Sequence, residues 1–113
     1  MAEQASETPI LDLLGGMTAD SIEASDLDPE TLMLVRIAAL IAVDAPPASY
    51  LMNLGAASEL GIGEEQVRGV LAAVAPIVGT PRVVAATGNI VRALGFALEM
   101  AEIEEELEEE TAD

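Results

Sequence analysis

Apolar residues return every three or four positions along most of this chain, and proline and glycine interrupt the pattern at defined places. The segment 44–82 shows this most clearly. Pro46 and Pro47 predict a helix start, because proline has a near-helical φ angle and lacks the N–H group that a first turn leaves unused. We expect this helix to end at Gly61, in a left-handed cap conformation. A second helix is predicted over residues 64–79, because two glutamates begin it and a glycine follows its last apolar residue.

The first quarter of the chain predicts shorter elements. A short helix is expected over residues 10–14, ended by the Gly15–Gly16 pair, and a second over residues 19–24, capped by Thr18. The four apolar residues of the first piece favour a core plug or a subunit contact.

A firmer helix is predicted over residues 30–43. Asp28 is a typical N-cap residue and Pro29 suits the first helical position. The apolar stripe of this helix is so broad that we expect most of it to be buried, with Arg36 as its one cation.

The last helix is expected to begin with Thr80 as its N-cap and Pro81 as its first helical residue, and to extend to about Glu110. Near its end, glutamates recur at i, i+4 spacing and lie where the helix dipole disfavours negative charge. We therefore expect fraying after Ile103. The predicted organisation is a disordered N-terminus (residues 1–8), a single all-helical domain (residues 9–103) and an acidic tail (residues 104–113).

Composition changes this picture in one respect. The chain has 113 residues, of which 51% are hydrophobic and only 2% are aromatic, and its mean hydropathy is +0.42. A single small domain with so much aliphatic content exposes apolar surface as a monomer. We therefore predict an all-α bundle that forms homo-oligomers.

Charge and missing residue types exclude several functions. The net charge of −17 argues against nucleic acid and anionic membrane partners. The chain has no cysteine and no histidine, and its acidic residues lack the spacing of a calcium loop, so we predict no metal site and no cofactor. No apolar run is long enough to span a bilayer and no targeting segment is visible, so a cytoplasmic location is expected.

Polar side chains that could form a site are few. Ser49 and Asn53 are four residues apart and Tyr50 and Asn53 three apart on one predicted helix, so their polar groups can share a pocket. These three are the candidate ligand-binding residues. The alternative is structural: Ser49 caps its own helix turn and Asn53 satisfies a backbone group. Arg82 and Arg92 can bind an anion, but pairing with some of the 21 acidic residues is the better interpretation.

The order of these features resembles the carboxymuconolactone decarboxylase family, which includes the alkyl-hydroperoxidase accessory (AhpD-like) proteins. The resemblance rests on Gly61, the Glu64–Glu65 helix start and the segment 79–81 (Gly-Thr-Pro), and it covers roughly residues 34–94. It implies an AhpD-like helical bundle that assembles into trimers or hexamers.

The family's chemistry does not come with this resemblance. The family's catalytic histidine lies eight residues before the glycine, a position held here by Asn53. The cysteines of thiol-bearing members correspond to Pro46 and Ser49. A thiol peroxidase is excluded, because no sulfur nucleophile is present, and an asparagine cannot act as a proton-transferring base near neutral pH.

Three functions remain. The first is a non-catalytic family member with a degenerate active site that acts as an oligomeric binding or assembly protein. The second is an enzyme on the same scaffold, of lactone decarboxylase or isomerase type, that uses Tyr50, Asn53 and a carboxylate. The third is an interaction module whose acidic tail binds a basic protein, against which stands the simpler interpretation of a solvated end.

Overall fold

The computed structural model describes the backbone of residues 6–111 and the side chains of residues 6–95 and 102–110. Within this range the chain forms five α-helices and no strand: α1 (Pro9–Ala24), α2 (Pro29–Ala42), α3 (Pro47–Glu59), α4 (Glu64–Val78) and α5 (Thr80–Thr111). The predicted all-α fold is confirmed. The disorder expected for residues 1–8 falls mainly on residues 1–5, which lie outside the described range.

The caps of α2 and α3 follow from the residues that the sequence places there. The Asp28 carboxylate accepts a hydrogen bond of 2.8 Å from the Thr31 backbone N–H and so satisfies one of the free donors of the first turn of α2. At the end of α3, Gly61 has a φ of +82°. Its N–H group donates to the Ser58 carbonyl and that of Ile62 donates to the Ala57 carbonyl, both at 3.0 Å. This pair of bonds ends the helix in a Schellman motif.

Helix α4 also begins and ends where the sequence predicts. The Gln66 side chain accepts a 2.8 Å hydrogen bond from the Gly63 N–H group at its start, and Gly79 ends it with a φ of +88°. The same Gln66 amide donates to the Glu30 carboxylate at 2.8 Å, which ties the start of α4 to the start of α2. Thr80 is the first residue of α5 and not its cap.

The prediction of two short helices near the N-terminus is wrong. Helix α1 continues through Gly15 and Gly16, and Thr18 lies inside it, where its hydroxyl donates to the Leu14 carbonyl at 3.0 Å. A glycine lowers helix stability by about 1 kcal/mol relative to alanine but does not forbid a helix. A glycine ends a helix when its backbone turns to positive φ, as at Gly61 and Gly79.

The core lies among α2, α3, α4 and α5: α2 packs on the other three helices, and α5 also packs on α3 and α4. Ile37 and Ile41 of α2 and Tyr50 of α3 are its largest fully buried side chains, and each aliphatic one contributes about 1.5–3 kcal/mol through burial. The expectation that α2 is mostly buried is wrong, because three of its 14 residues (Met33, Ile37 and Ile41) are buried and Val35 is 51% exposed. The face of α2 that carries Val35 is open to solvent.

Helix α1 stands apart from this core, since every residue from Pro9 to Ala24 is exposed. The Arg36 guanidinium of α2 reaches it, with hydrogen bonds to the Thr18 carbonyl at 3.4 Å and the Ser21 hydroxyl at 3.1 Å. The radius of gyration is 17.0 Å, whereas a compact chain of this length has about 13 Å. The protomer is therefore extended, with an apolar helix on its outside.

Helix α5 continues to Thr111 without interruption, beyond the Ile103 position at which we expected fraying. Ala93 is the last buried residue among the described side chains of α5. Ile103 and Leu107 are about half exposed. The glutamate-rich end is therefore a helix that projects from the bundle.

Candidate functional site

Helix α3 carries all three candidate residues and is positioned by both neighbouring connections. Pro46 and Pro47 begin it, and the Ser49 N–H group donates to the Pro46 carbonyl at 3.1 Å in its first turn. The Asn89 amide of α5 donates to the Ala45 carbonyl at 3.3 Å, which holds the loop before α3 against α5. The start of α3 is therefore fixed relative to the middle of α5.

Asn53 uses its amide within its own helix. Its Nδ2 donates to the Ser49 backbone carbonyl at 2.8 Å, and both residues are half-buried. An amide in this arrangement can still accept a hydrogen bond through Oδ1, but it takes up no proton at neutral pH. The position that the resemblance assigns to a catalytic base therefore holds a hydrogen-bonding group.

Tyr50 lies in the core, whereas Ser49 and Asn53 are half-buried. Its side chain is 0% exposed, and its hydroxyl has no hydrogen-bond partner among the described residues. Burial, with a smaller contribution from the Asp44 carboxylate, raises the pKa of the Tyr50 phenol. The phenol is therefore neutral at physiological pH and can donate a hydrogen bond but not act as a base.

Asp44 is itself unusual, because it has a φ of +56°, in the left-handed region that non-glycine residues rarely adopt. It directly follows Val43 at the end of α2, and the Ala45 N–H group donates to the Leu40 carbonyl at 3.0 Å. Aspartate tolerates this conformation better than most residues. The Asp44 carboxylate is exposed, and its charge is the smaller of the two causes that raise the pKa of the buried Tyr50 phenol.

Another face of α3 borders open cavities. Two open cavities of about 220 Å³ each adjoin one another between α3 and α5. We call them together the α3–α5 groove; its lining residues are Pro47, Ala48, Leu51, Leu54, Gly55, Ser58, Arg92, Ala93 and Leu94. Ser49, Tyr50 and Asn53 are not among them, so a ligand pocket formed by these three residues stays a prediction.

The sequence interpretation missed this groove, because its walls come from segments more than thirty residues apart. The available signal is Arg92, for which the sequence favours pairing with acidic residues. Arg68 forms an ion pair with Glu64, while Arg92 donates to the Asn89 side-chain oxygen at 3.4 Å. The pairing expected for Arg92 is therefore not found in the described part of the chain.

The described residues contain no group of three or more histidine, cysteine, aspartate or glutamate side chains able to hold a metal ion. Among the same residues, none of the helices combines the length and apolar character needed to cross a membrane.

The fold and the site define a class: an all-α bundle in which α3 and α4 follow one another through a glycine turn, with a hydrogen-bonded asparagine at the candidate site on α3. The sequence model of the carboxymuconolactone decarboxylase family matches residues 9–89. This is more than half of the chain, which therefore belongs to the carboxymuconolactone decarboxylase family, and the resemblance drawn from its helix boundaries is confirmed. No curated protein and no solved structure matches the chain.

Proposed function

We propose that this member of the carboxymuconolactone decarboxylase family is a non-catalytic, oligomeric binding or assembly protein without thiol or histidine chemistry. The observation that carries this proposal is the state of Asn53, whose amide is hydrogen-bonded to the Ser49 carbonyl at 2.8 Å. With no histidine or cysteine anywhere in the sequence, the common proton-transfer and nucleophilic groups of such a site are missing.

The distribution of apolar surface supports the assembly part of the proposal. Helix α1 exposes large aliphatic side chains, and Val35 and Val43 of α2 are 51% and 70% exposed. Contiguous apolar surface of this kind is typical of protein interfaces. By family resemblance we propose a trimer or a hexamer, in which some of this surface is covered by neighbouring copies.

A second candidate function is an enzyme of lactone decarboxylase or isomerase type. The observation that favours it is the Tyr50 hydroxyl, which is buried without a partner in the described structure. A neutral phenol with the Asp44 carboxylate nearby can donate a hydrogen bond to a substrate oxygen. This candidate requires that substrate reach a side chain that is closed to solvent.

Two measurements test the proposal. The mass of the purified protein in solution is expected to be a multiple of the 11.7 kDa chain, and a monomer at all concentrations would contradict assembly. Incubation with a carboxylated muconolactone is expected to release no CO₂ above the buffer rate. CO₂ release by the wild-type protein that is lost in Asn53→Ala or Tyr50→Phe, while the mass of the oligomer stays unchanged, would establish the enzyme instead.

A further inference from the structure

Helix α1 carries a stripe of four large apolar side chains on one face. Ile10, Leu13, Leu14 and Met17 follow the i, i+3, i+4, i+7 spacing, and their exposed fractions lie between 50% and 67%. This spacing is the one by which a helix anchors itself in a groove of another protein surface. We call these four residues the α1 stripe.

The α3–α5 groove has the shape and lining to receive such a stripe. Its two cavities share Leu51 and Ala93, so they form one continuous depression, and each has a volume of about 220 Å³. An apolar cavity of about 150 Å³ accommodates benzene, so each half of the groove has room for a leucine or methionine side chain. Gly55 lies in the groove, and a Cβ atom added there would find no atom within 4 Å.

The lengths of the two features agree. At about 1.5 Å per residue, the groove extends for about 16 Å along α3, from Pro47 to Ser58. The segment of α1 from Ile10 to Asp20 is about 15 Å long by the same rise. When this segment of α1 lies along the groove, Ile10 is therefore at one end of the groove and Asp20 at the other.

Charge selects the direction. Asp20 lies three residues after Met17 and so continues the edge of the α1 stripe. Arg92 lines the end of the groove near Pro47, and the hydrogen bond described for it goes to the neutral Asn89 side chain. An α1 helix antiparallel to α3 brings Asp20 next to Arg92, whereas the parallel orientation separates the two.

We propose that the α1 stripe of one copy of this chain occupies the α3–α5 groove of a second copy, with Asp20 beside Arg92. This inference rests on the proposed oligomeric assembly and adds the surfaces through which it forms.

A charge exchange tests the orientation. Asp20→Arg and Arg92→Glu are each expected to raise the dissociation constant of the oligomer about tenfold, because each places like charges together. The double variant is expected to restore the wild-type value. Arg82→Glu is the matched control, because Arg82 is also an exposed arginine of α5 but lies outside the groove, and it is expected to leave the dissociation constant unchanged once its change in net charge is screened by salt.

A steric block tests the groove itself. Gly55→Trp fills the groove and is expected to dissociate the oligomer. Gly69→Trp is its control, since an added Cβ also meets nothing within 4 Å at that exposed position of α4. Sedimentation velocity gives the mass of each variant, and circular dichroism shows that each one is folded. If Gly55→Trp fails to fold, the charge exchange alone decides.

The outcomes distinguish the docking of α1 in the groove from the proposed oligomeric assembly on which it rests. A wild-type protein that is monomeric at every concentration would overturn the assembly and this docking together. An oligomeric wild type whose groove and charge variants all keep the same mass would leave the assembly standing and overturn the docking. A double charge variant that remains as weak as the single ones would also overturn it, because Asp20 and Arg92 would then not be neighbours.

Discussion

Replacing Tyr50 by phenylalanine is expected to stabilise this protein. The side chain is closed to solvent, and its hydroxyl has no hydrogen-bond partner among the described residues. The unfolded chain, in contrast, solvates this hydroxyl fully. Phenylalanine keeps the ring in the core and removes only the group whose burial is unfavourable.

The size of the effect follows from this environment. An unsatisfied buried hydroxyl costs about 1–3 kcal/mol, so we expect Tyr50→Phe to raise the free energy of unfolding by about 1–2 kcal/mol. For a domain of this size, such a gain raises the melting midpoint by about 4–8 °C. Far-ultraviolet circular dichroism is the suitable probe, because the variant lacks the chromophore that tyrosine fluorescence would follow.

Tyr50→Leu is the control, because it removes the hydroxyl and also reduces the packed volume. We expect it to lower the free energy of unfolding by about 2 kcal/mol, since a cavity remains. The reasoning is refuted if Tyr50→Phe is less stable than the wild type by more than about 0.5 kcal/mol, a difference beyond ordinary surface effects. The hydroxyl would then hold a hydrogen bond that contributes to folding.

Three other predictions concern the core, the helix ends and pH. Ile37→Ala is expected to lower the free energy of unfolding by about 2–5 kcal/mol in urea titrations, whereas Val35→Ala on the open face of α2 changes it by less than about 1 kcal/mol; equal losses would contradict the assignment of the core. Gly55→Ala is expected to stabilise α3 by about 1 kcal/mol, and Gly61→Ala to destabilise it by about 1–2 kcal/mol because of its positive φ; thermal melts that shift both midpoints the same way would be evidence against this. The folded-state pKa of Tyr50 is raised above its ordinary value of 10.0, so the unfolded state loses the phenol proton first. Ionisation of Tyr50 therefore leaves stability unchanged below pH 10 and lowers it as pH rises from 10 through the folded-state pKa. Near-ultraviolet absorbance follows this titration directly, since Tyr50 is the chain's one tyrosine and there is no tryptophan, and ionisation at the ordinary value in folded protein would contradict it.

The helix boundaries were predictable where a residue has one strongly preferred backbone role. Asp28 and Pro29 mark the start of α2, and Gly61 and Gly79 mark the ends of α3 and α4, because the cap and the positive φ are local properties. Gly15 is also a glycine, but it lies inside α1 and does not have a positive φ. Local sequence does not distinguish a glycine that ends a helix from one that continues it.

The site was harder to predict, because it depends on which face of a helix the rest of the fold covers. Tyr50 has an apolar ring and a polar tip, so its spacing from Asn53 fits a polar pocket as well as a core position. The fold buries it. The groove that contains Arg92 arises only when α3 and α5 pack together, and a single helix pattern carries no record of that contact.

The projecting end of α5 has a consequence for any particle built from this chain. Beyond Ala93 the helix extends to Thr111, about 27 Å at 1.5 Å per residue, and its surface is dominated by glutamate. Several such rods on one particle repel each other and splay outward at low ionic strength. Salt shortens the range of this repulsion to about 10 Å at 0.1 M, so the hydrodynamic radius of the particle should shrink as salt is added, even when the number of copies stays the same.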